Sequence, residues 1–346
     1  MTVGCETHTY TITDRDSGGT VASSGTLTSV EYNRILNDSS DARIVLGTAG
    51  ADCCDDLGEI RSWRHILNLY RGSDFMWSGF ITNVDWKLDE VLVDAVDIIG
   101  LLDRRVPHQE FDFRATDPTV IGATLVDDAL APDDPGHTVT IVAEAGVDHT
   151  RVYERWVGQT GDHLRDLSDT GIDFTAVGNN VVLMGDRFCD VVGYLSDADL
   201  PDGLTVSEDG AQLATRRIVA GTDQGSAVGA AGGVNPYYGL LEIYTEQNSI
   251  TDQVSADTAA QGALEGSLAA PVYIDTQNIT LAPHANVDVD QLVPGWCLII
   301  TSGLTCRRIT QRLKITGLKV SEDGAQERVT VQVAAMGEDL ELGALQ

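Results

Sequence analysis

Between residues 65 and 96 the chain alternates apolar and polar side chains in three short runs parted by turn residues. The runs are His65–Tyr70 (HILNLY), Phe75–Val84 (FMWSGFITNV) and Val91–Val96 (VLVDAV), with Arg71-Gly72-Ser73-Asp74 turning the chain between the first two. Alternation sends successive side chains to opposite faces, so Val91, Val93 and Ala95 share one face of a half-buried strand. Upstream, His8–Asp14 (HTYTITD) and Ala42–Leu46 (ARIVL) read the same way. The 35 Gly and nine Pro are spread along the chain and supply the many turns that short strands need. After the last run the period changes. Asp97 is placed to cap a short helix carrying Ile98, Ile99, Leu101 and Leu102, which ends near Arg104-Arg105-Val106-Pro107. Residues 1–106 thus predict a barrel-like or sandwich β domain closed by a short helix.

A chain of 346 residues is long for one core, so further domains are expected. Residues 107–150 read as a connector with one helix. Asp117 and Pro118 are an N-cap and first-turn pair, and Ile121, Leu125, Val126, Ala129 and Leu130 share a stripe before the Ala131–Gly136 breaker. Residues 151–200 predict a small α/β insert. It has a strand near Arg151–Val157, a helix capped by Thr160 and stopped at Gly171, and a hairpin of Asp173–Val177 and Val181–Met184 about Gly178-Asn179-Asn180. Residues 201–270 predict a strand and helix insert, with a flexible loop at Gly221–Gly233 and a helix over Ala256–Ala269 capped by Ser255. Residues 271–346 return to strands as a second β-barrel-like domain. The fold class is mainly β with small α/β inserts. One echo links distant parts: Gly203–Gln212 is GLTVSEDGAQ and Gly317–Gln326 is GLKVSEDGAQ. Both place Asp-Gly where a hairpin turns. Shared turn chemistry explains the echo, and a duplicated domain is the sharper alternative.

Fifty-three Asp and Glu face 22 Lys and Arg, a net charge of −31. Such a chain repels phosphate, so stable nucleic-acid binding is disfavoured. Only Lys87, Lys314 and Lys319 are lysines; preference for Arg fits a G+C-rich genome, and scarce Lys with excess acid also fits a high-salt host. No apolar stretch approaches the ~20 residues of a membrane span, and the first residues, MTVGCETHTY, show no signal peptide. Phosphate-loop, nucleophile-elbow and dinucleotide glycine patterns are missing. Seven scattered His and six Cys without a C-x-x-C pair give no metal-ligand spacing. The thiols are expected to be free, with Cys297 and Cys306 meeting across a hairpin as the alternative. The acid pairs Asp55-Asp56, Asp127-Asp128 and Asp133-Asp134 carry little information among 53 acids. The run Asn286–Asp290 alternates oxygen ligands, but Gln291 and Cys297 stand where a calcium loop needs Gly and Glu, so a solvated strand face is expected. Trp63, Trp77 and Trp86, with Tyr70 and Phe75, read as core, with a subunit contact as the alternative. No catalytic residue, cofactor or metal ligand is predicted.

The order of segments in Leu27–Val106 resembles the minor tail proteins of actinobacterial siphophages. Arg34-Ile35-Leu36-Asn37-Asp38 matches that family's R-x-L-N-D segment. Cys54 and Trp63 then precede a strand pair with Tyr70-Arg71, Gly72, Trp77 and Gly79, followed by Asp97 to Arg105. The resemblance continues through His163–Met184, Ala214–Gly221, Tyr238–Glu242, Pro294–Trp296 and Cys306-Arg307. It covers nearly the whole chain, and no single motif is diagnostic. Gly79 suits a strand bend or close backbone approach, and Asp38 and Asp97 suit turns and caps.

The resemblance implies a baseplate hub at the tip of a long non-contractile tail, assembled in the host cytoplasm and carried in the virion. Two barrel-like domains per chain and three chains would build a pseudo-sixfold ring. Its implied partners are further copies of itself, the distal tail protein, the tape measure protein and tip or fibre proteins, with DNA passing through unbound. The host reads as actinobacterial, with a salt-loving archaeal host as the alternative. Competing readings are a cell-surface or glycan-binding β protein and a tail-associated hydrolase.

Overall fold

The structure, a computed structural model, describes residues 7–23, 27–47, 57–208, 210–211, 213–221, 227–247, 253–265, 267, 271–275, 278–324, 326–335 and 341–342. The chain begins with β1 (His8–Asp14), β2 (Thr20–Ser23), β3 (Leu27–Ile35), β4 (Asp41–Gly47), β5 (His65–Arg71), β6 (Asp74–Trp86), β7 (Glu90–Val96) and α1 (Ile98–Leu102). Next come β8 (Phe111–Thr116), α2 (Pro118–Leu130), β9 (Thr138–Ala143), β10 (His149–Tyr153), α3 (Thr160–Ser168), β11 (Ile172–Val177), β12 (Asn180–Gly185) and β13 (Val191–Ser196). They are followed by β14 (Val206–Glu208), β15 (Arg216–Ala220), β16 (Val228–Gly232), β17 (Glu242–Glu246), α4 (Gln253–Glu265) and β18 (Pro271–Ile274). The chain ends with β19 (Asn278–Thr280), β20 (Cys297–Ser302), β21 (Ile309–Asp323), β22 (Gln326–Ala335) and β23 (Glu341–Leu342). The fold is mainly β, and two compact units divide it: Met1–Gly203 with Thr276–Leu304 and Arg312–Ala334, and Leu204–Asp275 with Thr305–Gln311 and Ala335–Gln346.

In the first unit one sheet runs in the order β13-β20-β21-β3-β4-β7-β6-β5-β1-β2, and β22 branches from β21 to pair also with β19. The strand-rich beginning and end of the chain are therefore joined edge to edge, Leu318 facing Arg34 and Val320 facing Tyr32. Period-two patterning drives this. β5 buries alternate residues along its whole length, and Ile12, Tyr32, Ile44, Leu46, Leu67, Leu69 and Val93 are all sealed from solvent. Each such side chain stabilises the fold by roughly 1.5–3 kcal/mol relative to exposure. β6 pairs with β5 through its first half and with β7 through its second, the register changing partner at Phe80. Gly79 permits that change: a Cβ there would lie 2.2 Å from the Val96 carbonyl oxygen.

α1 leads from the sheet into an α/β insert. β11 and β12 form the predicted hairpin, with Val177 opposite Asn180, and β9 joins β12 in parallel. α2 and α3 cover this small sheet, and Ile121, Leu125, Leu164, Leu167, Phe174 and Leu183 form one core with Ile99, Leu102 and Phe80. Asp117 caps α2 through Thr119 N, with Pro118 in the first turn, as the sequence predicts. Thr160 does not cap α3. It is the first helical residue, after Gln159, whose side chain makes no capping bond, because Gly158 at φ +76° delivers the chain one residue earlier.

In the second unit β15 pairs antiparallel with β16 and parallel with β17. α4 covers one face through Val219, Ala227, Ala256 and Ala260. Here three sequence expectations change. Val228–Gly232 is a strand rather than a flexible loop, since alternate small residues let the helix rest on it: a Cβ at Gly229 would lie 2.1 Å from Ala256 O. Residues 222–226 of that loop lie outside the described residues. α4 starts at Gln253, so Ser255 is inside it. The two VSEDGA segments also diverge. The second turns the β21–β22 hairpin with Gly324 at φ +70°, whereas Val206–Glu208 of the first pairs with β18 in the other unit. The two copies therefore sit in different strand settings; Asp209 of the first lies outside the described residues.

The cysteines are a further correction. Cys189 and Cys297 form a disulfide across 108 residues of sequence, with Cα atoms 5.2 Å apart. Parallel pairing of β13 with β20 sets Val191 opposite Cys297 and brings the two thiols together. Cys306 is free and exposed; Cys5, Cys53 and Cys54 lie outside the described residues.

Candidate functional site

Several of the segments that carry the family resemblance, Arg34–Asp38 and His163–Met184 among them, meet at joints of the first unit. Arg34 on β3 is fully buried and donates to the carbonyl oxygens of Asp290 and Met76. Asn37 follows at φ +63°, a left-handed conformation that a short amide side chain tolerates. Its side chain donates to Asp173 Oδ1 at 2.7 Å and accepts from Phe174 N at 2.8 Å. The other Asp173 oxygen takes Lys314 Nζ at 2.7 Å, and both partners are less than a tenth exposed. Asp38 receives Arg165 of α3, which also grips Asp103. Four remote parts of the chain, β3, β11, α3 and β21, are thereby clamped around one tight turn. Lys314 had a faint sequence signal, as one of three lysines set inside an apolar stretch of β21. Asp173 and Arg165 had none.

A second cluster ties β1 and β5 to the β21–β22 hairpin. His8 donates its backbone N–H to Glu322 Oε2 at 3.1 Å, and its Nδ1 lies 2.5 Å from the same oxygen. His8 Nε2 is 3.4 Å from the Tyr32 hydroxyl. Arg71 meets Glu327 in a bidentate pair at 2.5 and 2.9 Å, with both side chains almost wholly buried. Burial pushes the Tyr32 hydroxyl well above the usual tyrosine range. A half-open pocket of about 280 Å³ adjoins the cluster, walled by His8, Leu27, Val30 and Glu322 among others. A histidine beside a glutamate can shuttle a proton. Here each group already has a partner within the cluster, which makes it a fastening between strands.

The remaining sequence candidates are similarly engaged. Asp128 accepts from His108 N and Gln109 Nε2, and Asp133 holds Arg15 and Arg105. Asp127 and Asp134 grip His137 from two sides at 3.0 and 2.7 Å. Burial draws the His137 imidazole down, but the two carboxylates outweigh it and hold it above its ordinary value. The His137 side chain, with backbone amides, holds Asp134 down to about 2. Asp55-Asp56 lies outside the described residues. Asn286–Asp290 is not a strand face: Val287 and Val289 point inward, and a short 3₁₀ turn, Val289–Gln291, follows. Among the described residues no three His, Cys, Asp or Glu side chains gather as metal ligands, and no helix is long and apolar enough to cross a membrane. The tryptophans divide. Trp77 is buried, Trp63 stacks on Phe80 beneath Arg104, and Trp86 is half exposed with its indole N–H on Leu57 O. Trp156, which the sequence reading passed over, is 62% exposed.

No protein-family model matches the chain, and no curated protein sequence matches it. Solved structures do. The 43 kDa tail protein of prophage MuSo2 from Shewanella oneidensis is 12% identical, with a TM-score of 0.59 over 98% of this chain and 100% of its own. A tail protein from Neisseria meningitidis MC58 is 13% identical, with a TM-score of 0.54 over 93% of this chain and 96% of its own. An E. coli type VI secretion component, described as structurally similar to the T4 tail proteins gp27 and gp5, is 12% identical, with a TM-score of 0.50 over 92% of this chain and 76% of its own. The chain therefore has a phage-tail type of fold.

Proposed function

We propose that this chain is a structural tail protein forming a hub ring, most simply a trimer, at the tip of a long non-contractile viral tail. The observation that carries the reading is the likeness to tail proteins along 98% of the chain. It is supported by a framework in which buried ion pairs such as Arg71–Glu327 and Lys314–Asp173 fasten distant strands. In this role three copies close around a channel, join the distal tail protein and the tape measure on one side, and carry tip or fibre proteins on the other. The segment order of Leu27–Val106 favours a siphophage. The net charge of −31 suits a channel wall past which DNA slides without sticking. No step of this role needs a reactive side chain.

Native mass spectrometry of the purified chain tests the ring, and antibody labelling of intact virions tests the position. A closed oligomer and label at the tail tip are expected. A chain that stays monomeric into the tens of micromolar, with no label on the tail, would overturn the proposal. A second reading, a glycan-binding β protein, is favoured by exposed Trp156 and Trp86. Glycan-array binding by a monomer would decide for it.

A further inference from the structure

The turn between β10 and α3 presents a side chain in a way that the fold must work to maintain. Trp156 sits at φ +63°, a left-handed conformation that costs a bulky residue free energy. The turn is held there from both sides. Trp156 N donates to Pro107 O at 2.8 Å, Val157 N to Glu154 O at 3.3 Å, and His163 Nε2 lies 2.9 Å from Val157 O. Gly158 lets the His163 ring approach, since a Cβ there would lie 2.5 Å from that ring. What this framework holds out is an indole 62% exposed, followed by Val157, 53% exposed. Strain that is retained to expose an apolar side chain, rather than to bury one, has no stabilising return inside the chain.

Arg155 adds an independent observation. Its guanidinium lies over the Trp156 ring, 4.0 Å from the centroid. The chain has more than two acids for every base, and Arg15, Arg43, Arg64, Arg71, Arg105, Arg114, Arg165 and Arg216 all hold carboxylates. Arg155 has no ion pair among the described residues, a trait it shares with Arg61, Arg104, Arg151, Arg307, Arg308 and Arg328, but its guanidinium is set over an exposed indole. A flat guanidinium stacked on an indole keeps its N–H edge free for a carboxylate. Trp and Arg are the residues that most often anchor protein interfaces.

We infer that Arg155 and Trp156 form an anchor that docks on an acidic face of a second copy of this chain. Charge chooses the occupant. Copies carrying −31 repel one another, so a contact between them needs cationic points where they touch, and any neighbouring copy offers carboxylates over most of its surface. The contact is head to tail, the anchor of one copy meeting a different surface of the next, which is the arrangement that closes rings. The inference rests on the ring reading above and names a residue pair that makes the ring.

Trp156→Gly is the decisive variant, because glycine accepts the left-handed backbone. Native mass spectrometry and sedimentation velocity are compared for the parent chain, Trp156→Gly, Arg155→Glu and, as control, Trp86→Ala. The expected result is an oligomeric parent and control. Trp156→Gly and Arg155→Glu should weaken association at least tenfold, and, at a dilution where both chains are monomeric, the thermal midpoint of Trp156→Gly should be equal to or above the parent's. A parent and Trp156→Gly that associate equally would overturn the anchor and leave the ring standing. So would a Trp156→Gly midpoint well below the parent's at that dilution, which would make the side chain a structural one. A monomeric parent would overturn both, and a glycan-array signal lost in Trp156→Gly would reassign the indole to a sugar.

Discussion

Asp97 shows how much one side chain can carry. It is buried, caps α1 through Ile99 N and Gly100 N, and also accepts from Ser40 N in the turn before β4. Burial pushes its carboxyl up to about 7 against those bonds, from an ordinary 3.8. The folded chain thus keeps a proton that the unfolded chain has lost. The stabilisation this gives is complete below about pH 4 and is lost as pH rises toward about 7, with a slope of up to ~1.4 kcal/mol per pH unit. Asp97→Asn retains a capping oxygen without the titration. Urea unfolding of Asp97→Asn between pH 4 and pH 7 is expected to lack the decline seen in the parent; equal slopes in the two proteins would refute the assignment. The Asp97 and Asp117 caps were legible in the sequence because a cap acts on the next two or three residues. Asn37 was legible only as part of the Arg34–Asp38 segment of the resemblance. Its role as a clamp depends on Asp173 and Phe174, which reach it through the fold alone.

Among the elements, β1, β4, β5, β6 and β7 follow the sequence reading closely, since each is defined by its own alternation and its own flanking turns. β21 does not. Its 15 residues serve three neighbours, β20, β3 and β22, and no local pattern encodes partners so far away. The Arg71–Glu327 pair, 256 residues apart in sequence, fastens β5 to β22. Burying this pair and then removing one member leaves an uncompensated charge. Arg71→Met is therefore expected to cost about 3–5 kcal/mol, while Arg71→Met with Glu327→Met should recover most of it. Denaturant unfolding of the two single variants and the double variant measures the coupling. Additive losses would mean that the fastening works through packing and not through charge.

For the molecule as a whole, the Cys189–Cys297 bond closes a loop that contains the whole of Leu204–Asp275. Holding the two ends of that excursion together restricts the unfolded chain, an effect of about 4–5 kcal/mol for a loop of this length in the chain-entropy account. Reductant, or Cys189→Ser with Cys297→Ser, is expected to lower the unfolding midpoint by a corresponding amount. Thiol titration of the native chain should leave both sulfurs unreactive. An unchanged midpoint with both thiols reactive would exclude the bond. The sequence reading expected free thiols and offered Cys306 as the alternative partner of Cys297, across a hairpin. Parallel pairing of β13 with β20 selected Cys189 instead.

By itself the sequence determined what acts within a few residues: strand alternation, helix caps and the Gly178-Asn179 hairpin, together with the excess of acidic over basic residues. Segment order also pointed to the tail-protein type of fold. Only the tertiary structure decided which charged residues are buried together, which cysteine finds which, and that a tryptophan at residue 156 faces solvent. Those outcomes depend on which distant strands lie side by side. Pairing of that kind is settled by the sum of many weak burial energies across the sheet, and no short stretch of the chain records it.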